Sequence, residues 1–353
     1  MQEKKLPHKE NTISFLKKIK QKIFFFLRLN HHPVIKVYNG FGNKEKVIVL
    51  GHVLHLSPYP RKTYRRNWII NLFSILRLFL VIPYSNAKIR VEWNGQSYPC
   101  HTEEDGFFRL EITQNKIQEE GWHNVSVKLD EEKYHSRNIF GKGRIYIPFA
   151  SQNGFISDID DTFLISYSAR LRRRIYTLFT KNAHSRKPFE GAVNHYQLLA
   201  SSGQAGKNSN PFFYVSGSEW NLYDFLVEFA DKNGLPKGVF LLSQLKDIKG
   251  IFSSGQKDLR TKFMRIVRIV EAYPHLKFIL LGDDSQQDPE IYLSIVSHFR
   301  DKIIAVYLRN IHEENFEKVK AIISEMESKG VACCYFKHSA EAVLHSKEIG
   351  LII

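Results

Sequence analysis

Cysteine is scarce in this chain of 353 residues, and that scarcity excludes a small protein held together by disulfides or by bound zinc. The three cysteines are Cys100, Cys333 and Cys334. Adjacent cysteines rarely form a disulfide, and these spacings fit no zinc-binding motif. A chain of this length can bury a large core without disulfides. We therefore expect ordinary, reduced core cysteines and a cytoplasmic location.

The sequence also lacks an apolar run long enough for a membrane span. Residues 66–83 contain the most hydrophobic stretch, but it falls short of the ~20 apolar residues that a spanning helix needs. Asn71, Ser74 and Arg77 recur every three positions, which predicts an amphipathic helix docked on the protein. Residues 12–29 predict a second, basic amphipathic helix that is too short for a signal peptide. It is either an anchor on anionic lipid or an extension without that role.

Acidic residues are sparse near the N-terminus. The chain carries 51 Lys and Arg against 36 Asp and Glu, a net charge of 51 − 36 = +15. Residues 1–66 hold 15 of the basic residues and three acids, so 15 − 3 = +12 of the excess lies there. Such a segment favours an anionic lipid surface, nucleic acid or a phosphorylated ligand. Nucleic acid is disfavoured because no basic-aromatic platform or recognition-helix pattern is present.

The residue pattern divides the chain into three predicted parts. Residues 1–33 form the basic amphipathic extension. Residues 34–149 alternate apolar and polar residues and contain the hairpin turn Asn94-Gly95, which predicts a β-sandwich with the helix of 66–83 inserted. In residues 150–353 short apolar strands alternate with helical patterns. That alternation predicts an α/β domain with a Rossmann-like parallel sheet covered on both faces.

Polar residues cluster after three predicted strands of the α/β part. They are Asp158, Asp160, Asp161 and Thr162 after the first strand, Ser216 and Gly217 after the second, and Asp283, Asp284 and Asp288 after the fourth. Carboxylates packed together repel one another unless a cation or base neutralises them. Because ligands of such sheets bind at the carboxyl ends of the strands, we expect a shared pocket there. Its oxygen ligands suit Mg²⁺, and the Ser216 hydroxyl suits a phosphate oxygen.

These motifs resemble those of the haloacid dehalogenase superfamily, in the same order. Asp158-x-Asp160-x-Thr162 resembles the first motif, Ser216 the second, Lys262 the third, and Gly282-Asp283 with Asp288 the fourth. The surrounding sequences GFISDIDDT, YVSGSEWNLYDFLVEF and EAYPHLKFILLGDDSQQDPEIY resemble a narrower family. They are similar to the catalytic domain of the actin-patch-protein-type phosphatidate phosphatases and their bacterial relatives, from residue 150 to about residue 340.

The resemblance implies a Mg²⁺-dependent enzyme of lipid metabolism that hydrolyses phosphatidate to diacylglycerol and phosphate through an aspartyl-phosphate. The catalytic residues that it implies are Asp158 as nucleophile, Asp160 as general acid and base, and Lys262 as charge neutraliser. The phosphate-binding residues would be Thr162, Ser216, Gly217 and Lys262, and the metal ligands would come from Asp158, Asp160, Asp283, Asp284 and Asp288. Asp284 stands where this family has serine, so the choice of direct ligands among the last three acids stays open.

Two other functions remain open: a phosphatase of a soluble phosphomonoester, and a non-catalytic membrane-binding module. Residues 163–190 interleave basic and aromatic residues, which predicts either a flap at the edge of an open site or a solvated helix. An open site suits a substrate whose acyl chains stay in the bilayer. We therefore expect a phospholipid substrate at a membrane surface, anionic lipid as a partner, and peripheral attachment to the inner face of the membrane.

Overall fold

A computed structural model of the chain describes residues 29–30, 32–58, 77–114, 118–132, 134, 138–149, 152–159, 188–202, 209–245, 258–285 and 287–353. The predicted basic helix of residues 12–29 lies outside these ranges except for its last residue. Within the ranges, no helix combines the length and the apolar character that crossing a membrane requires.

The first ten strands join in one sheet, which we call the mixed sheet. They are β1 (Leu29–Asn30), β2 (Val34–Val37), β3 (Gly40–Gly42), β4 (Lys46–Pro58), β5 (Ile82–Pro83), β6 (Lys88–Trp93), β7 (Gln96–His101), β8 (Phe107–Thr113), β9 (Gly121–Leu129) and β10 (Phe140–Ile147). The order is β1-β4-β3-β10-β9-β6-β7, and β2, β5 and β8 also pair with β4. Because the pairing connects all ten strands, the two separate sheets of the predicted sandwich are not confirmed.

Local sequence explains the hairpin of this sheet but not the predicted helix. Asn94 and Gly95 have φ angles of 51° and 75°, the left-handed values that a two-residue hairpin turn requires. The helix predicted over 66–83 lies largely outside the described residues, and its described end is not α-helical. That end forms a three-residue 3-10 helix at Arg77–Phe79 and then strand β5, which pairs with β4. Pairing with a long strand has overridden the helical pattern at this end.

The remaining strands form a second sheet, which we call the parallel sheet. The strands are β11 (Asn153–Ser157), β12 (Phe212–Glu219), β13 (Gly238–Ser243), β14 (Lys277–Asp283), β15 (Ile303–Arg309) and β16 (Ala332–Phe336). The described α-helices are α1 (Ala192–Ser201), α2 (Tyr223–Asn233), α3 (Asp258–Ala272), α4 (Asp288–His298), α5 (Phe316–Ser328) and α6 (Ser339–Glu348). Every strand pair is parallel, in the order β13-β12-β11-β14-β15-β16. The α/β class and the parallel sheet are therefore confirmed.

The strand order places a ligand-binding crevice between β11 and β14. The chain runs outward from β11 through β12 and β13, then returns to β14 on the other side of β11 and continues to β16. Strands β11 and β14 are therefore neighbours from which the chain departs in opposite directions. In open parallel sheets such a switch point opens a crevice at the carboxyl ends of the strands.

The mixed sheet packs against the parallel sheet through an aromatic contact. The ring of Tyr38 stacks on Trp220, with centroids 4.1 Å apart and an interplanar angle of 12°. The Tyr38 hydroxyl lies 2.9 Å from Nδ1 of His52, which is fully buried. Burial, with the charge of Lys36, lowers the pKa of His52 to about 3, so its ring is neutral at pH 7.

Hydrogen bonds from the same segment of the mixed sheet reinforce this contact. They are Asn39 Nδ2 to the Gly238 carbonyl at 3.1 Å, Gly42 N to the Tyr273 hydroxyl at 3.1 Å, and Asn43 Nδ2 to the Ala272 carbonyl at 2.9 Å. Lys36 also forms a 2.7 Å ion pair with Asp224 of α2. Side chains of both sheets consequently share one hydrophobic core.

We expect Tyr38→Ala to lower the free energy of unfolding by about 3–5 kcal/mol, the usual loss for a large buried aromatic side chain. Tyr38→Phe keeps the stacking on Trp220 and removes the hydroxyl, so we expect a loss of about 1 kcal/mol. Urea denaturation of the full chain measures both. Tyr98 is half-buried and its hydroxyl donates to Gln96 at the surface, so Tyr98→Phe is the matched hydroxyl deletion, with an expected change within about 0.5 kcal/mol. A Tyr38→Ala protein as stable as Tyr98→Phe would contradict this account of the contact.

Candidate active site

Three buried carboxylates meet at the switch point of the parallel sheet. Asp158 directly follows β11, Asp283 ends the adjacent β14, and Asp288 begins α4. A hydrogen bond of 2.8 Å from Asp158 N to the Leu281 carbonyl joins the ends of the two strands. One oxygen from each carboxylate lies within 4.8 Å of the others, and each side chain is at most 1% exposed. The strand order thus brings Asp158 together with two acids that lie more than a hundred residues further along the chain.

Lys262 of α3 enters this cluster from the facing helix. Its ammonium donates to Oδ1 of Asp158 at 2.6 Å and to Oδ1 of Asp288. Burial alone would lower the pKa of Lys262, but the charges of Asp158 and Asp288 outweigh it and raise the pKa well above its usual value. The side chain therefore stays charged at any physiological pH. It bridges the two carboxylates and fixes their separation.

The donor set fits a divalent cation. Lys262 can neutralise only one of the three negative charges of the cluster. The excess negative charge is felt at Asp283, because burial and the charge of Asp288 raise its pKa to about 7. Oδ2 of Asp288 is buried and accepts no hydrogen bond from the described residues. Clustered carboxylate oxygens of this kind are the ligands that Mg²⁺ and similar cations prefer.

Gly282 allows the Asp288 carboxylate to lie directly against β14. A Cβ placed on Gly282 would come within 2.6 Å of Oδ2 of Asp288 and 2.9 Å of the Tyr292 hydroxyl. That hydroxyl donates to the Leu281 carbonyl at 2.8 Å, so Tyr292 has little room to move. Any side chain at position 282 would consequently displace the carboxylate from the cluster.

Ser216 lies on β12, the other neighbour of β11, at the same edge of the sheet. It is fully buried, and its Oγ accepts a hydrogen bond of 2.9 Å from the amide of Ser218. The Ser216 carbonyl accepts from Arg265 of α3 at 3.1 Å, and the Gly217 carbonyl accepts from the Ser243 hydroxyl at 2.7 Å. These contacts hold the end of β12 in a fixed conformation where its pairing with β13 becomes irregular.

Asp284 does not point into the cluster. Its Oδ1 accepts from the amides of Ile311 and His312 at 2.8 and 3.1 Å, and its Oδ2 accepts from the Tyr335 hydroxyl at 2.6 Å. Both oxygens are thus used to fasten the loop that follows β15. Of the three acids left open above, Asp283 and Asp288 lie in the carboxylate cluster and Asp284 lies outside it.

Comparison with known proteins shows which domain this cluster belongs to. Residues 153–310 match the family model of the catalytic domain of phosphatidate phosphatase APP1. The chain is 30% identical over 159 residues to phosphatidate phosphatase APP1 of Saccharomyces cerevisiae, which covers 44% of this chain and 25% of the yeast protein. Residues 153–310 are an APP1-type catalytic domain.

Two further likenesses are weaker. An uncharacterized protein of Schizosaccharomyces pombe is 21% identical over 169 residues, which covers 47% of this chain and 26% of that protein. The chain therefore spans about a quarter of the length of both fungal relatives. Among solved structures, a carbohydrate acetylesterase of Xanthomonas citri aligns with 90% of this chain and 75% of its own at 9% identity. Its TM-score of 0.35 is too low to indicate a shared fold.

Part of the predicted site of the APP1-type domain lies outside the described residues. Asp160, Asp161 and Thr162 fall there, as does the predicted flap up to residue 187. The residues that the structure brings to one edge of the sheet are Asp158, Ser216, Gly217, Lys262, Asp283 and Asp288.

Sequence reasoning missed Arg309, the last residue of β15 and the register partner of Asp283. Arg309 is 4% exposed, and its guanidinium donates to the Ser339 hydroxyl at 3.0 Å. It lies over the rings of Phe189 and Phe336, at 4.5 and 4.7 Å from their centroids. In the sequence, Arg309 could have been found as an arginine that ends an apolar strand at the edge of the sheet where the acids lie. The Arg309 guanidinium thus lies next to the carboxylate cluster. Its contact with Phe189 also holds the chain in place just after the predicted flap.

A divalent cation should stabilise the APP1-type domain through Asp283 but not through Asp284. At a concentration ~100 times its Kd, a bound cation contributes about 2.7 kcal/mol, which corresponds to a rise in Tm of about 4 °C for a chain of this size. We expect Mg²⁺ or Mn²⁺ to produce this rise in the unmodified protein and in Asp284→Asn, and to produce none in Asp283→Asn. Differential scanning calorimetry with and without each cation measures it. Equal rises in the two variants would disprove the assignment of the ligands.

Proposed function

We propose that this chain is a Mg²⁺-dependent phosphatidate phosphatase of the haloacid dehalogenase superfamily. The observation that carries the proposal is the buried contact of Lys262 with Asp158 and Asp288 at the switch point of a parallel sheet. It lies in the segment that matches the catalytic domain of an enzyme named for this activity. The superfamily assignment rests on the order of the motifs, from Asp158 through Ser216 and Lys262 to Asp283.

Asp158 is the proposed nucleophile. A carboxylate oxygen of Asp158 attacks phosphorus, the bond between phosphorus and the glycerol oxygen breaks, and an aspartyl-phosphate and diacylglycerol result. Lys262 holds Oδ1 of Asp158 at 2.6 Å and so fixes the rotamer of the side chain. Its positive charge also offsets the repulsion between the carboxylate and the phosphate dianion. Water then attacks phosphorus, the bond between phosphorus and the Asp158 oxygen breaks, and free phosphate leaves.

The remaining roles are proposed from the family resemblance. Asp160 would protonate the departing glycerol oxygen and later take a proton from the attacking water. Thr162, Ser216 and Gly217 would orient the oxygens of the phosphoryl group. The fixed conformation at Ser216 supports this role, because donors that are already in place need no reorganisation when the phosphate binds.

The carboxylate cluster supports a resident Mg²⁺. Asp158 and Asp283 would bind the ion directly with the backbone carbonyl of Asp160, and Asp288 would position Lys262 or a water of the ion. When bound, the ion supplies positive charge that the phosphate and the carboxylates share. The buried Oδ2 of Asp288 supports this arrangement, since it has no hydrogen-bond donor among the described residues.

The substrate is proposed to be a lipid that stays in its bilayer. The basic N-terminal residues 1–33 and the basic-aromatic segment 163–190 would bring the protein to an anionic surface on the cytoplasmic side. A short insertion after the first motif would leave the site open at its edge, as the insoluble acyl chains require. Anionic lipid would thus act as a partner as well as a source of substrate.

We expect Asp158→Asn to abolish phosphate release from phosphatidate in mixed micelles, with a loss of at least about 10³-fold, because the amide cannot form the covalent intermediate. Removal of Mg²⁺ by a chelator should have the same effect and should be reversed by added Mg²⁺. Malachite green detection of phosphate measures both. The exposed Asp231→Asn on α2 is the matched control and should retain full activity.

The same assay separates the proposed function from its alternatives. We expect phosphatidate to be turned over faster than soluble phosphomonoesters such as glycerol 3-phosphate. Equal or faster turnover of the soluble compounds would identify a soluble-substrate phosphatase instead. Absence of phosphate release from every substrate, with Mg²⁺ present, would indicate a binding module.

A further inference from the structure

A groove of about 830 Å³ runs between the mixed sheet and helix α3, outside the catalytic cluster. Four arginines line it, which are Arg109 of β8 and Arg260, Arg265 and Arg268 of α3. Two acids, Glu103 and Asp105, also line it, so the side chains of the lining carry a net charge of 4 − 2 = +2. We call this feature the arginine groove.

The positive charge of the arginine groove comes from the mixed sheet and from helix α3, which face each other across it. Burial and the charge of Arg268 across the groove lower the pKa of Arg109, so two like charges face each other here. Arg109 lies 3.5 Å from Glu111, which also pairs with Lys46 at 2.9 Å. No described carboxylate lies within ion-pair distance of Arg268. An anion bound between Arg109 and Arg268 would relieve their repulsion.

The floor of the arginine groove is apolar. Phe41 and Leu50 from the mixed sheet and Trp220 and Leu242 from the parallel sheet are buried beneath it. Met264 of α3 extends over it with 40% of its surface exposed. A ligand with a charged headgroup and an adjoining apolar part matches this combination better than a polyanion without apolar groups.

Helix α3 separates the arginine groove from the catalytic cluster. Lys262 points from its buried face into the cluster, whereas Arg268 faces the groove six residues further along. Six residues correspond to about 9 Å along a helix axis. Neither Asp158 nor Lys262 lines the groove, so we place the phosphoryl group attacked by Asp158 outside the pair Arg109 and Arg268.

Phosphatidate carries a single phosphate, and its glycerol and acyl parts are uncharged. If its phosphate lies at Asp158, no anionic group of the substrate remains for the arginine pair. We propose that the arginine groove binds the headgroup of a second anionic phospholipid, which is not the substrate molecule. This inference deepens the proposed function and rests on it, because the argument requires a substrate with a single phosphate.

The second lipid would hold the catalytic domain against the bilayer in a defined orientation. Because one wall of the groove comes from the mixed sheet and the other mainly from α3, the mixed sheet would take part in binding the membrane. Arg265 lines the groove and donates to the Ser216 carbonyl, so an occupied groove lies against the proposed phosphate-binding strand end. Bound anionic lipid should consequently raise turnover of phosphatidate in vesicles as well as attachment.

The test uses the full chain with phosphatidylcholine vesicles that contain or lack phosphatidylglycerol, a phosphodiester that a phosphomonoesterase does not hydrolyse. We expect phosphatidylglycerol to increase co-sedimentation of the protein and its rate of phosphate release from phosphatidate in the same vesicles. Arg109→Gln and Arg268→Gln should each weaken the phosphatidylglycerol-dependent binding about five-fold, since one cation near an anionic surface contributes about a factor of five. Both should lower the stimulation of turnover, which is the ratio of rates with and without phosphatidylglycerol.

Two control variants separate the groove from general charge. Arg268→Lys keeps the cation and should retain most of the binding. Arg300→Gln removes an exposed arginine in the loop between α4 and β15, at the opposite edge of the parallel sheet, and should bind like the unmodified protein. Unaltered binding by both groove variants, or an equal loss in Arg300→Gln, would overturn the inference.

A competition arm separates a lipid headgroup from free phosphate. Inorganic phosphate should not displace the protein from phosphatidylglycerol vesicles more than chloride does at the same ionic strength. Displacement specific to phosphate would show a site for the free ion and would overturn the lipid assignment. If phosphatidate is not hydrolysed at all, the proposed function fails. The co-sedimentation of the groove variants still decides whether the groove binds anionic lipid.

Discussion

The contact of the Lys262 ammonium with Asp158 and Asp288 is the interaction on which the rest of the site depends. Each carboxylate is buried, and an isolated buried charge costs several kcal/mol. The shared ammonium offsets part of this cost and also fixes the distance between the ends of β11 and α4. The remaining negative charge makes the site unfavourable without a further cation. Such a cation would also offset the repulsion between these carboxylates and the phosphate of the proposed substrate.

The parallel sheet gives this interaction its position. Asp158 and Asp283 come from strands that are adjacent in space but separated in the chain by α1, α2, α3 and two other strands. Their side chains converge because both strands end at the switch point. The fully apolar interiors of β11 and β14 bury the strands on both faces. Polar side chains are then confined to the strand ends, where catalysis requires them.

Much of this arrangement could be predicted from sequence, and the remainder depended on contacts between distant residues. Apolar runs that end in acids predicted β11 and β14 and the side chains after them. The choice between Asp284 and Asp288 could not be made, because it depends on the loop at residues 311–315 and on Tyr335. The start of helix α1 has no capping signal in the sequence, since its N-cap residue is Gly191, which has no side chain to accept a hydrogen bond. The position of strand β16, ACCYF, at the edge of the sheet and its partial burial could not be predicted from its apolar sequence.

The mixed sheet bears directly on the position of Lys262. Helix α3 carries Lys262 near its N-terminal end, and its last residue, Ala272, accepts a hydrogen bond from Asn43 of the mixed sheet. Tyr273, directly after the helix, accepts another from Gly42. The helix is thus held at one end by the carboxylates and at the other by the mixed sheet. A displacement of the mixed sheet would shift α3 along its axis and pull the ammonium away from Asp158. Helix α3 also lines the arginine groove, so a molecule bound there contacts the helix that positions Lys262.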